Sequence, residues 1–247
     1  LPDPVPTPVV AFAVRHTGAL AGIQITASHN PPADNGYKVY TDGGIQIISP
    51  TDREIEAAMA DAPPADRIGR TPVEPAHVDL IERYIERAAG LRRGTGAARV
   101  ALTALHGVGG AVAVETLRRA GFAQVHTVAT QFAPDPDFPT VAFPNPEEPG
   151  AADALLALAA DVGADVAIAL DPDADRCAVG IPDTSGWRML SGDETGWLLG
   201  DYILSQPQPV ETPVVASTVV SSRMLSAIAA HHGAVHVETL TGFKWLA

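Results

Sequence analysis

Arg99-Val100-Ala101-Leu102-Thr103-Ala104 is a short apolar run with β-branched residues, as a strand buried on both faces requires. Residues 112–120 follow with helical spacing and stop at Gly121, and residues 124–129 return to strand character. The same order recurs near the end of the chain: a strand over 213–220, a helix over 221–230 halted near Gly233, and a strand over 235–240. Strand, helix, strand with loops of small residues between them predicts parallel pairs joined by crossover helices. Between the two repeats the pattern predicts a helix over 152–161, strands over 166–170 and 178–182, and a helix over 194–205. The fold class is therefore α/β, with repeated three-layer domains and mixed, mostly parallel sheets.

Before the first repeat, residues 7–16 read as an amphipathic helix and 22–26 as a strand. Two β-like runs at 36–40 and 45–48 flank the turn Asp42-Gly43-Gly44. Helices are predicted up to about residue 60, with Ser49 or Thr51 as cap, and over 78–89. The glycine- and arginine-rich stretch 90–97 and the segment Gln206-Pro207-Gln208-Pro209 mark boundaries. They give units 1–94, 95–207 and 208–247.

The chain has 247 residues, 46% of them apolar and 18% charged, which argues for folded domains and against disorder. Its net charge of −13 argues against a nucleic-acid partner. No apolar run reaches the roughly 18 residues of a membrane span. The single cysteine, Cys177, excludes an internal disulfide framework, is expected in the core, and fits a reducing, cytoplasmic setting. The chain opens on Leu1-Pro2-Asp3-Pro4 rather than Met, as a processed chain or a piece of a longer one would.

Two loops carry candidate chemistry. Thr26-Ala27-Ser28-His29-Asn30-Pro31 places a serine hydroxyl after a strand, with His29 beside it and Lys38 ten residues on. A nucleophilic serine needs such a base and charged surroundings; the plain alternative is a loop serine and asparagine making turn hydrogen bonds. Asp171-Pro172-Asp173-Ala174-Asp175-Arg176 follows a buried strand, and in an extended segment its three carboxylates share one face. Convergent carboxylates repel one another unless a hard divalent cation neutralises them; the alternative is a solvated acidic loop. Lys38 and Lys244 are the lysines of a chain that otherwise uses arginine, and lysine is the cation that can exchange a proton.

Together these loops resemble the α-D-phosphohexomutase family, the phosphoglucomutases and phosphomannomutases. Further matches are Asn35-Gly36-Tyr37-Lys38, Asn145-Pro146-Glu147-Glu148-Pro149 and Thr241-Gly242-Phe243-Lys244-Trp245, all in the family's order. Pro172 and Ala174 stand where many members have glycine. That variant is similar to a branch with phosphopentomutase-like and glucose-1,6-bisphosphate-forming members. The family's sugar loop, its C-terminal phosphate-clamping domain and the start of its first domain have no match here. The resemblance therefore describes an incomplete copy, with the first unit lacking its beginning and the third cut short.

The resemblance implies a Mg2+-dependent phosphosugar mutase interconverting hexose 1-phosphate and hexose 6-phosphate, with glucose or mannose as the sugar. Ser28 would carry the phosphoryl group, and a hexose 1,6-bisphosphate would be intermediate and activator. Asp171, Asp173, Asp175 and a phosphoserine oxygen on Ser28 would hold one Mg2+ per chain. His29 and Lys38 are candidates for moving the sugar proton, and a nearby cation and arginine would lower the Lys38 pKa. Arg176, Thr241, Gly242 and Lys244 would bind substrate, and Asn30 would order the serine loop. Alternatives are a phosphopentomutase or sugar-bisphosphate synthase, a phosphatase with Asp171 as nucleophile, and a non-catalytic fragment that binds sugar phosphates. The partners implied are small sugar phosphates.

Overall fold

The computed structural model describes residues 1–76, 78–207 and 210–246, with only the backbone of 243 and 244. Helix α1 (Thr7–Thr17) starts between Pro6 and Pro8, where a missing N–H costs nothing, and ends on left-handed Gly18. Val9, Val10 and Val14 on its inner face pack with Val5 and Tyr40. Strands β1 (Gly22–Ile25), β2 (Tyr37–Thr41) and β3 (Ile45–Gln46) form an antiparallel sheet in that order. Its register sets Gln24 opposite Lys38, which fixes the face on which Lys38 stands. Helix α2 (Thr51–Ala60) lacks the predicted cap: its N-cap is Pro50, and the Ser49 hydroxyl donates instead to Asp52 Oδ1 at 2.8 Å.

Helix α3 (Leu80–Ala89) packs against α1 and against α4 (Gly110–Arg119). The second unit is a five-stranded sheet of order β5-β4-β6-β7-β8. Its strands are β4 (Arg99–Thr103), β5 (Gln124–Thr127), β6 (Val166–Leu170), β7 (Cys177–Asp183) and β8 (Gly186–Met189). Strand β4 is parallel to both neighbours, whereas β7 and β8 run antiparallel. Val100, Ala101, Leu102 and Thr103 are all buried, as a central strand covered on both faces demands. Helix α5 (Asp153–Val162) lays Leu155 and Ala159 on Ala101, Ala167, Ala169 and Ala178. Small side chains on the strands let this helix approach closely.

Helix α6 (Gly192–Leu204) leads to the parallel pair β9 (Val214–Thr218) and β10 (Val235–Thr239), joined through α7 (Met224–His231). The short helix α8 (Phe243–Leu246) lies against β3. The sheets are mixed and the class is α/β. Antiparallel pairing is more extensive than the sequence predicts, because the first sheet is antiparallel throughout and β8 extends β7 as a hairpin. No helix among the described residues is long and apolar enough to cross a membrane.

Candidate active site

Strands β4 and β6 are adjacent and parallel, yet from their carboxyl ends the chain turns to opposite sides, to β5 and to β7. In an open α/β sheet such a divergence leaves a crevice for ligands. Both candidate loops meet there. The loop after β4, His106-Gly107-Val108-Gly109, lies under the acidic loop after β6. A Cβ on Gly107 would stand 2.3 Å from the Pro172 backbone, and one on Gly109 would stand 2.5 Å from the Ala174 methyl. Only glycine allows this approach. The Val108 N–H donates to the Pro172 carbonyl at 2.9 Å.

The acidic loop is not extended. The Ala174 N–H donates to the Asp171 carbonyl at 2.9 Å, and Ala174 takes a left-handed φ of 52°. The three carboxylates converge as expected, but through a tight turn rather than an extended segment. A left-handed residue explains why glycine would also suit this position. Asp171 is fully buried and Asp173 is 3% exposed.

The serine loop arrives from the first unit. The Ser28 N–H donates to Thr26 Oγ1 at 2.8 Å, and the Asn30 N–H closes a turn on the Ala27 carbonyl at 3.1 Å. Ser28 has a φ of 55°. It delivers its hydroxyl to Asp171 Oδ2 at 3.0 Å and to Asp173 Oδ1 at 3.1 Å. His29 Nδ1 lies 3.2 Å from Ser28 Oγ. Arg176 donates from its backbone to Asp171 Oδ1 at 3.0 Å and from Nη2 to Asp171 Oδ2 at 2.8 Å, and it also touches His29 Nδ1. Lys38 Nζ reaches Asp173 Oδ2 at 2.7 Å and Asp175 Oδ2 at 2.5 Å.

Burial works to lower the Lys38 pKa, but hydrogen bonds and charge from Asp173 and Asp175 outweigh it and hold the ammonium above the ordinary lysine value. Carboxylates bond to Nζ here; the expected lowering concerns Nζ beside a bound cation and belongs to the metal-loaded site. Burial and the Asp173 charge push the Asp171 carboxyl up. Burial also works to raise Asp173, but Lys38 and Thr7 bond to it and keep it below the usual carboxylate range.

With all three carboxylates ionised, Lys38 and Arg176 leave one negative charge uncompensated. One carboxylate oxygen from each of Asp171, Asp173 and Asp175 lies within 4.8 Å of the other two. Asp175 Oδ1 is buried without a hydrogen-bond partner among the described residues, and Arg176 Nε is 3.7 Å away. A buried carboxylate oxygen left bare is costly. These residues fit a hard divalent cation bound by oxygen ligands.

The structure thus brings together Ser28, His29, Lys38, Asp171, Asp173, Asp175 and Arg176. Asn30 is exposed and orders the loop through its backbone, while the side chain doing so is Thr26. Thr241 is exposed, and Gly242 takes a φ of 124° at the start of α8; neither touches the cluster among the described contacts. The Lys244 side chain lies outside the described residues. Cys177 is exposed at the start of β7 rather than in the core. His106 is buried, its Nε2 2.8 Å from Thr140 Oγ1.

Sequence reading missed Thr7. Its hydroxyl donates to Asp173 Oδ2 at 2.7 Å across a separation of 166 residues, and its N–H donates to the Asp173 carbonyl at 2.8 Å. A threonine between prolines reads locally as a helix start. The glycines at 107 and 109 were legible as a small-residue loop, without the loop they support. A cleft of about 380 Å3 opens beside Ser28, bordered by Asn30, His106, Asp135, Phe138 and Asp173.

Three family models cover the chain in order. They are the phosphoglucomutase/phosphomannomutase α/β/α domains I (residues 1–65), II (81–184) and III (191–247). The Haemophilus influenzae protein named "Probable phosphomannomutase" is 44% identical over 255 residues, covering 100% of this chain and 52% of its own. Mouse phosphopentomutase is 39% identical over 274 residues, covering 99% of this chain and 43% of its own. The chain thus spans about half the length of these curated relatives. A phosphoglucomutase/phosphomannomutase family protein from Burkholderia thailandensis shares the fold, with a TM-score of 0.79 at 24% identity over 97% of this chain and 51% of that one. With three successive domain models matched and both motif loops meeting in one site, the chain belongs to the phosphoglucomutase/phosphomannomutase family.

Proposed function

We propose that the protein is a phosphosugar mutase in which Ser28 carries the transferred phosphoryl group. The observation that supports this most is the placement of Ser28 Oγ 3.0 Å from Asp171 Oδ2 and 3.1 Å from Asp173 Oδ1. A phosphoryl group there adds roughly −1.5 to −2 charges beside three carboxylates. It can be held only if a divalent cation joins Lys38 and Arg176 in neutralising them. Asp171, Asp173, Asp175 and a phosphoserine oxygen would hold Mg2+, which supplies Lewis-acid polarisation of the phosphoryl oxygens when bound.

The chain's own residues provide position and charge, which phosphoryl transfer needs most. The Arg176 fork is fixed on Asp171 and lies 3.5 Å from Ser28 Oγ, where it meets a phosphoryl oxygen. In each half-reaction the P–O bond to one oxygen breaks as that to the other forms. A phosphoryl group passes from Ser28 to a hydroxyl of the sugar phosphate, whose proton leaves to a base. The bisphosphate then returns its other phosphoryl group to Ser28. His29 and Lys38 are the proton carriers at hand; Lys38 would accept the sugar proton only as the neutral amine, after losing a proton to solvent once the carboxylates turn to a cation. Thr241, Gly242 and Lys244 belong to the substrate-binding part of this proposal.

The sugar is glucose or mannose in the first reading. The 39% identity to a phosphopentomutase, close to the 44% to a phosphomannomutase-named relative, supports pentose phosphate as the second. The test is to incubate the protein with Mg2+ and radiolabelled glucose 1,6-bisphosphate and map the label. Acid-stable phosphoserine at Ser28, absent in Ser28→Ala, is expected. A base-labile acyl phosphate on Asp171 would overturn the proposal in favour of a phosphatase. Parallel turnover assays with hexose and pentose 1-phosphates choose the sugar.

A further inference from the structure

We propose that Thr7 is a positioning residue of the metal centre, fixing which oxygen of Asp173 faces the cation. This rests on the reading that Asp171, Asp173 and Asp175 hold a divalent ion. A carboxylate can swing about its Cβ–Cγ bond and offer either oxygen or both. Asp173 Oδ2 receives the Thr7 hydroxyl at 2.7 Å and Lys38 Nζ at 2.7 Å, which occupies its two lone-pair directions. Asp173 Oδ1 is left facing Ser28 Oγ at 3.1 Å, on the side where Asp171 Oδ2 also meets that hydroxyl. Oδ1 is thus the oxygen presented to the ion.

The two donors are not equivalent. Lys38 sits on a flexible four-carbon stem, and a cation that draws on Asp175 competes with it for that carboxylate. Thr7 is 2% exposed, opens an 11-residue helix and is flanked by Pro6 and Pro8. Its backbone N–H grips the Asp173 carbonyl at 2.8 Å, so the hydroxyl is aimed by two points of attachment. Thr7 is therefore the partner that stays in place when the ion arrives. Partners of metal ligands typically cost about 10–100-fold in metal affinity when removed.

The experiment is calorimetric titration of MgCl2, and separately MnCl2, into metal-free protein, with circular dichroism to confirm the fold. Thr7→Val keeps the volume and the N–H and removes only the hydroxyl; it is expected to weaken binding by about 10–100-fold. Thr7→Ser restores the hydroxyl and is expected to return affinity to the wild-type range, which a purely packing role would not require. Thr7→Ala repeats the deletion should valine perturb the helix start. Wild-type affinity in a folded Thr7→Val or Thr7→Ala protein overturns the proposal. So does loss of the fold in both, which would make Thr7 a folding residue. Asp175→Asn separates the two levels: if it binds metal as wild type does, the reading of the cluster as a metal site fails. If it loses the metal while Thr7→Val keeps it, only the role of Thr7 fails.

Discussion

Ser28 holds a φ of 55°, a left-handed conformation that costs a non-glycine residue roughly 1–2 kcal/mol. The turn that imposes this also aims the hydroxyl at two carboxylates, so the strain and the proposed chemistry share one cause. Glycine at this position should relieve the strain, whereas alanine should keep it. We therefore expect Ser28→Gly to be more stable than Ser28→Ala by about 1 kcal/mol in urea unfolding, with neither variant accepting a phosphoryl group. Equal stabilities would show that the loop relaxes once the hydroxyl is gone. The serine, the three aspartates and Arg176 were legible in the sequence because their chemistry is written in contiguous residues. Thr7 was not, since its partner Asp173 lies 166 positions away and only the docking of α1 on the acidic loop joins them. The contact of Lys38 with the acidic loop is hidden for a related reason: only geometry shows that Asp173 and Asp175 both bond to Nζ.

Helix α6 begins with a reciprocal cap. Ser191 Oγ accepts the Glu194 N–H at 3.1 Å, and Glu194 Oε2 accepts the Ser191 N–H at 2.8 Å. Arg188 forks onto the same carboxylate at 2.9 and 3.0 Å. The Arg188 bonds, then that cap, pull the Glu194 pKa down to about 2. A carboxyl lowered on folding contributes stability above its unfolded value, about 4.3, and loses it as pH falls through the folded one. The melting temperature of wild type should therefore exceed that of Glu194→Gln by a constant margin above about pH 5, and the gap should close toward pH 2. A gap independent of pH down to 2 would place the effect in shape rather than charge. Ser191→Ala removes the other half of the cap and should cost about 1 kcal/mol. The Ser-x-x-Glu signature at 191–194 is present in the sequence, and the helix begins at Gly192, ahead of the predicted 194. The crossover strands were legible because a buried parallel strand is a continuous apolar run. Strand β8 was not: within Gly186-Trp187-Arg188-Met189 the alternation spans only Trp187, Arg188 and Met189, too short to mark a strand, and its pairing with β7 defines it.

The first two units meet through the site itself. Thr7, Ser28 and Lys38 come from one, and the three aspartates and Arg176 from the other. Outside the site, α3 bridges α1 and α4, with Phe12 on Tyr84 at 5.7 Å and Arg119 paired to Glu82. An exposed ion pair of that kind is worth at most about 1 kcal/mol and is screened by salt. The buried cluster is screened far less, and it carries an uncompensated negative charge that a cation would remove. Divalent metal should therefore stabilise both units together rather than the second alone. Linkage gives about 2.7 kcal/mol when free metal is 100-fold above its dissociation constant. The measurement is a calorimetric scan with chelator and with saturating Mg2+, at low and at moderate salt. We expect Mg2+ to raise the unfolding of both units and to draw them into one transition. Asp173→Asn should abolish the shift, and added NaCl should leave most of it. If Mg2+ moves only one of two resolved transitions, the ion is held by the second unit alone, and Ser28 and Lys38 contribute nothing to its site.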